Sequence, residues 1–334
     1  MAQALDVYHA SLKEAQADPR LIAVQGASPF ERLDWLALLA EHCLDETKAH
    51  LTVAADDHGI AALPWLEHGG QIVALANWYN FYVRFLGDQN HLSEVARSLP
   101  HGRAMFAPLP EEDATGLAEA FRRAGWIVIA EPCDSNHILP VNGRSFAVYW
   151  ADRPGALRET FRRKSRKGEV NLRLVTQFSQ ADWNAYEAIY KLSWKPGEGS
   201  PEFLRAWAQM ESDAGHLRLG IAEVEGQPVA AQFWTVEGGT AFIHKLAHDE
   251  RFRKQSPGTL LSAAMFEHVI DRDGVSLIDF GTGDDPYKRD WMEQVRTRWR
   301  VRAWRKSAVR HWPSLLRALA ARTLQPLVSK NRHG

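Results

Sequence analysis

Residues 279 to 291 read DFGTGDDPYKRDW, an apolar strand-like entry followed by two glycines, two adjacent acids and a proline. Asp284, Asp285, Tyr287 and Lys288 are gathered there. A carboxylate can orient or deprotonate an amine, a phenol can give a proton to a leaving group, and an ammonium can hold an anionic part of a substrate. Proton transfer is the chemistry such a cluster would do. The alternative is an ordinary helix N-cap, with acids placed to suit the dipole and Tyr287 packed as a core aromatic. A second stretch, FRKQSPGTLL at 252 to 261, suits phosphate: Gly258 lets backbone approach closely, Pro257 fixes the helix entry, and amides converge at a helix N-terminus.

Other residues have weaker claims. Lys245 is a second cation for an anionic substrate group, and Trp194 with Lys195 stands before PGEGSPEF, where an acceptor cleft or simple packing would use them. His244 and His248 have the H-x-x-x-H spacing of a metal pair on a helix. On a strand, residues four apart sit about 13 Å from each other, too far to chelate. The run Arg162, Arg163, Lys164, Arg166 and Lys167 reads either as a solvated helix face or as a grip on a phosphate-rich ligand.

These residues must be positioned by elements that the sequence pattern announces. Ser28 to Glu31, with Pro29 at the first helical position, reads as a capping box opening a helix. HLTVAAD, GIAALPWL and QIVALANWYNFYVRF read as three strands of a meander. Two helix-then-strand units follow, LSEVARSLP into RAMFAPL and ATGLAEAFRRAG into WIVIAEP, and ALRETFRRKSRKG forms a basic connector helix. The second half repeats the plan: a strand in VNLRLVTQ, two helices, three antiparallel strands turning at Glu225-Gly226 and Gly238-Gly239, and a helix from Ser256-Pro257-Gly258. A strand in VSLIDFG, a helix starting at DPYKRDW and a period-two strand in TRWRVRAWR complete it. The tail, with Leu315, Leu316, Leu319 and Leu324 beside Arg310, Arg317 and Arg322, is a basic amphipathic helix for its own domain, a partner or an anionic membrane surface.

Composition sets limits on this reading. At 334 residues the chain has room for about two domains, and its 45% hydrophobic and 24% charged residues argue against a disordered or fibrous class. A formal net charge of -1 speaks against a surface that grips nucleic acid throughout. Cys43 and Cys133 are too few for a disulfide framework or a thiolate metal site. With no secretory signal and no apolar run of membrane length, a cytoplasmic protein is expected.

The order of the second half, the basic helix, the FRKQSPGTLL loop and above all the DFGTGDDPYKRDW string resemble the GNAT superfamily. They are similar in particular to its two-domain CelD-like branch of cellulose-biosynthesis acetyltransferases, related to the FemAB aminoacyltransferases. The resemblance covers roughly residues 145 to 305. It departs at Leu260, where the general loop pattern has glycine or alanine.

The resemblance implies an α/β (α+β) fold of two tandem GNAT-like domains, each with a central mixed, largely antiparallel sheet flanked by helices. The expected division is a degenerate domain at 1–147, a connector helix at 148–168, a catalytic domain at 169–310 and the tail at 311–334. Acetyl-CoA is the implied acyl donor, with no metal, and an amine on a sugar or sugar-linked precursor of the cell envelope or exopolysaccharide is the implied acceptor. Tyr287 would be the general acid and Asp284 would orient or deprotonate the amine. Lys288, Lys245 and Trp194 would bind substrate, and Arg253, Gln255, Ser256, Gly258 and Thr259 would bind the donor. Two alternatives stay open: a FemAB-like enzyme using aminoacyl-tRNA, and a non-catalytic binding protein of the same fold.

Overall fold

Turn glycines and alternating apolar positions set the order of elements. In the computed structural model, which describes residues 5–320, β1 (Asp6–Ser11) leads through α1 (Leu12–Ala17) and α2 (Pro19–Ala23) to α3 (Leu33–Cys43). Next come β2 (Ala49–Ala55), β3 (Ile60–His68), β4 (Gln71–Ala74), β5 (Leu86–Gly87), α4 (Leu92–Ser98), β6 (Arg103–Leu109), α5 (Glu111–Arg123) and β7 (Trp126–Pro140). The chain continues with α6 (Phe146–Ala151), α7 (Gly155–Ser165), β8 (Asn171–Val175), α8 (Gln180–Leu192) and α9 (Pro201–Asp213). It ends with β9 (Leu217–Val224), β10 (Gln227–Glu237), β11 (Thr240–His248), α10 (Pro257–Glu267), β12 (Leu277–Thr282) and β13 (Gln294–Arg305).

The described chain divides into two units that are not sequential. One holds residues 5–26, 45–133 and 298–320, and the other holds 27–44 and 134–297. This differs from a division at 147 and 310, because the limits fall inside β7 and β13, and α3 leaves the first half for the second unit. In the first unit the strand order is β1-β2-β3-β4-β6-β13, with β5 on β3; neighbouring strands pair antiparallel except β4 with β6. Leu63, Trp65, Phe106, Phe121 and Trp126 fill the core there. The second unit orders its strands β7-β12-β11-β10-β9-β8, antiparallel apart from β11 with β12. Its core includes Tyr149, Trp234, Phe266 and Ile278.

Three local expectations are corrected. Ser28 makes no cap: Pro29–Glu31 is one 3-10 turn and α3 begins only at Leu33. The apolar docking of Phe30 decides this, since its ring is buried edge-on to Trp35 and Phe242 at 5.2 and 5.7 Å. The third strand of the first meander stops at Ala74, because the Asn77 and Asn80 side chains accept from the backbone amides of Tyr79 and Asn77 and so turn the chain. DPYKRDW forms a single 3-10 turn, Pro286–Asp290, rather than starting a helix.

Residues 312–320 are helical, with Leu315 and Ala318 buried beside Ile129 and Trp304, so this segment docks on its own unit. Leu316 and Leu319 face outward, and Arg322 and Leu324 lie outside the described residues. Among the described residues no helix is long and apolar enough to cross a membrane.

Candidate functional site

The second unit contains one pair of parallel strands that part. β11 and β12 pair only from Thr240–Leu277 to Phe242–Asp279, yet β11 runs on to His248 and β12 to Thr282. Beyond that point each strand keeps its outer neighbour, β10 or β7, and the ladder between β11 and β12 does not continue. On β10 and β11 the register slips so that Phe233 opposes Lys245 while Trp234 opposes Ile243, which makes His244 the extra residue of a bulge. His244 is half-buried with Nε2 2.8 Å from Thr235 Oγ1, and loss of hydration, then Lys245, holds its pKa well below the usual imidazole value. The H-x-x-x-H pair therefore lies on a strand with different partners, His248 meeting Glu250 and the Trp194 ring.

The DFGTG string builds the end of β12. Asp279, fully buried, accepts from Asn136 Nδ2 at 2.6 Å, the Gly281 amide at 2.8 Å and Arg296 at 3.0 Å. Gly281 and Gly283 take φ of 69° and 92°, a left-handed backbone that a side chain would strain. Lys288 then folds back, its Nζ donating to the carbonyls of Thr282 at 2.5 Å and Gly283 at 3.3 Å. Burial lowers its pKa. This is a correction to its reading as a substrate contact, since the ammonium is buried and spent on shaping the loop.

Asp284, at the exposed face of that loop, accepts from Arg289 at 2.7 Å and faces His137 Nε2 at 2.8 Å. Arg289 first, then His137, holds its carboxyl below the ordinary value, which suits orienting a cation better than removing a proton. His137 is buried on β7 and 147 positions away, and no motif in the sequence marks it. Tyr287 is 45% exposed, its ring edge-on to Phe280 at 5.6 Å. Partial burial and the Asp285 carboxylate push its pKa up to about 12, so the phenol keeps its proton at neutral pH.

Lys245 leaves β11 to pair with Glu198 at 2.8 Å and lies over the Tyr190 ring. Trp194 is exposed beside His248. Ser256 enters α10 with left-handed backbone and no side-chain cap, and the first turn of the helix carries no acid, so its amides are not served by the loop's own side chains. Gly258 sits where a Cβ would lie 3.6 Å from His248 Nδ1. Arg253 is exposed, and Gln255 and Thr259 are half-buried in the same loop. Lys164 of α7 donates to the Lys254 carbonyl, which brings the basic helix to this loop, a proximity the linear charge run does not reveal.

One cluster among the described residues has the composition of a metal site: Glu211, His216 and Glu237. The Arg32 guanidinium occupies it, 2.5 Å from Glu211 and 3.2 Å from Glu237.

Residues 155–289 match the model of the acetyltransferase (GNAT) domain. Residues 155–289 therefore carry a GNAT acetyltransferase domain, the domain of a transferase. Among solved structures it resembles FemX, at 9% identity over 89% of this chain and 96% of that one, with a TM-score of 0.60. It also resembles the C-terminal domain of a putative lysylphosphatidylglycerol synthetase from Agrobacterium fabrum, at 13% identity, 92% and 95% coverage and a TM-score of 0.57. L-PGS from Bacillus licheniformis gives 13% identity, 95% and 96% coverage and the same TM-score of 0.57. Identities this low report a shared fold. No curated protein matches the sequence.

Proposed function

We propose that this chain transfers an acyl group from a CoA thioester, acetyl in the simplest case, to an amine. The observation that carries the reading is the gap between β11 and β12, which begins at Phe242 and Asp279 with the uncapped N-terminus of α10 following β11. Amides at such a terminus favour a pyrophosphate, and Arg253, Gln255, Ser256, Gly258 and Thr259 form the loop that would hold it. The donor supplies an activated acyl group. This chain would contribute the open edge of β11 toward the developing oxyanion, the protonated Tyr287 hydroxyl toward the departing sulfur, and Asp284 to orient the amine. Lys245 and Trp194 would border the acceptor entrance. An amine on a sugar or sugar-linked envelope precursor, in the manner of CelD-like enzymes, is the acceptor class that the DFGTGDDPYK string favours.

Calorimetric titration with acetyl-CoA and free CoA tests this, with Gly258→Trp as the blocked loop. Micromolar binding that the variant abolishes is expected; no binding by the intact protein removes the CoA reading. A second reading, transfer from aminoacyl-tRNA, is favoured by Lys164 and the basic α7 at the same loop and by Leu260, which is buried in the helix where the CoA pattern has a small residue. A steep linear fall of log affinity with log salt for charged tRNA, together with silence toward CoA, would select it.

A further inference from the structure

Between α8 and α9 lies a cavity of about 860 Å³, within the size range of small-molecule sites. Phe178, Trp183, Tyr186 and Leu204 give it a mainly apolar lining. Three of its six charged lining residues, Glu187, Arg205 and Glu198, are paired. Glu187 is held by Arg205 at 2.7 Å and by Trp183 Nε1 at 3.0 Å, while Glu198 meets Lys245 at 2.8 Å and the Tyr190 hydroxyl. Lys191 and Glu202 stand exposed at the rim. Lys195 differs: it is half-buried on the cavity wall, lies 5.8 Å from the Trp194 ring, and has no ion-pair partner among the described residues.

We propose that the cavity takes an amphipathic anion, its apolar body between α8 and α9 and its one carboxylate or phosphate on Lys195. Glu198 joins the cavity to Lys245 of β11, at the strand gap, so the ligand would be the acceptor of the transfer proposed above. That last step alone rests on the proposed function; the binding site does not. An acceptor of this kind carries an apolar chain or ring and an acidic group besides its amine. Burial first, then Lys245 and Lys288, lowers Lys195 to about 8, against Glu198 and Asp285, which favour its charge. A bound anion would replace the missing partner, and affinity should fall as pH rises through about 8 and the ammonium is lost.

Binding of 3-phenylpropionate, octyl phosphate and the neutral 3-phenylpropanol, measured by calorimetry without any acyl donor, tests the inference. Lys195→Met should weaken both anions by about tenfold or more and leave the alcohol unchanged, as the loss of a charge-assisted hydrogen bond requires. Ala206→Trp, which fills the cavity from a half-buried position, should abolish all three. The tighter anion identifies the acidic group. Absence of anion binding, or anion affinities that Lys195→Met leaves in place, overturns the proposal; melting temperatures matched to the parent show that each variant is folded. A protein that binds these anions but no acetyl-CoA would keep this site and lose the CoA reading.

Discussion

Replacing Arg32 with methionine opens the buried ion cluster of Arg32, Glu211, Glu237 and His216. The Arg32 guanidinium lies 2.5 Å from Glu211, 3.2 Å from Glu237 and 3.1 Å from His216 Nδ1. Glu211 is fully buried. Removing one partner of a buried pair costs about 3–5 kcal/mol because it strands the other charge. Trp207 Nε1 at 2.8 Å and His216 at 3.1 Å still serve Glu211, so the lower end, about 3 kcal/mol, is expected. For a unit of this size that lowers the melting temperature by about 6–12 °C.

The pH dependence gives a sharper reading. Burial works against the Glu211 charge, but His216, Arg32 and Trp207 outweigh it and hold its pKa down. Its contribution is therefore complete above the unfolded carboxylate value and is lost as pH falls through the lowered folded one. The gap between parent and variant should be widest near neutrality and close in acid. In Arg32→Met/Glu211→Gln, where the fully buried charge is gone and only Glu237, near His216, has lost Arg32, most of the lost stability should return. Added Zn²⁺ should raise the melting temperature of Arg32→Met through the vacated Glu211, His216 and Glu237, and leave the parent unchanged. Equal melting of parent and single variant at neutral pH, or a double variant no better than the single, refutes the reasoning.

Three further outcomes follow from the site. Tyr287→Phe should lower kcat by about tenfold, at the low end for general acids, because a phenol near 12 is a weaker acid than an ordinary thiol at about 8.5 and acts mainly as a hydrogen-bond donor to sulfur. Release of free thiol reads this, and an unchanged kcat removes Tyr287 from the mechanism. Asp279→Ala should destabilise the protein by about 2–4 kcal/mol in denaturant titration, since the Gly281 amide and the Asn136 and Arg296 side chains lose a buried acceptor; a change near zero would show that the loop does not depend on it. Lys164→Ala should weaken donor binding and reduce its salt dependence, and an identical salt slope would separate α7 from the donor site.

Local pattern alone determined much of this protein. The glycine turns at 226 and 238–239, the apolar runs of β9 to β11 and the Ser256-Pro257-Gly258 entry to α10 appear in the structure where the sequence placed them. They depend on neighbouring residues through backbone preference and side-chain period. The GNAT character was legible for the same reason, because the strings that carry it are contiguous.

Tertiary structure decided the rest. Phe30 gave up a capping box to bury its ring, and the Asn77 and Asn80 amides ended a strand that apolar content alone would have extended. Lys288 turned inward to hold carbonyls, while His137 came to Asp284 from 147 positions away. Glu198 took the charge of Lys245 and left Lys195 without an ion-pair partner among the described residues. Such choices depend on which buried polar group finds which partner, a long-range condition that residue order does not encode locally.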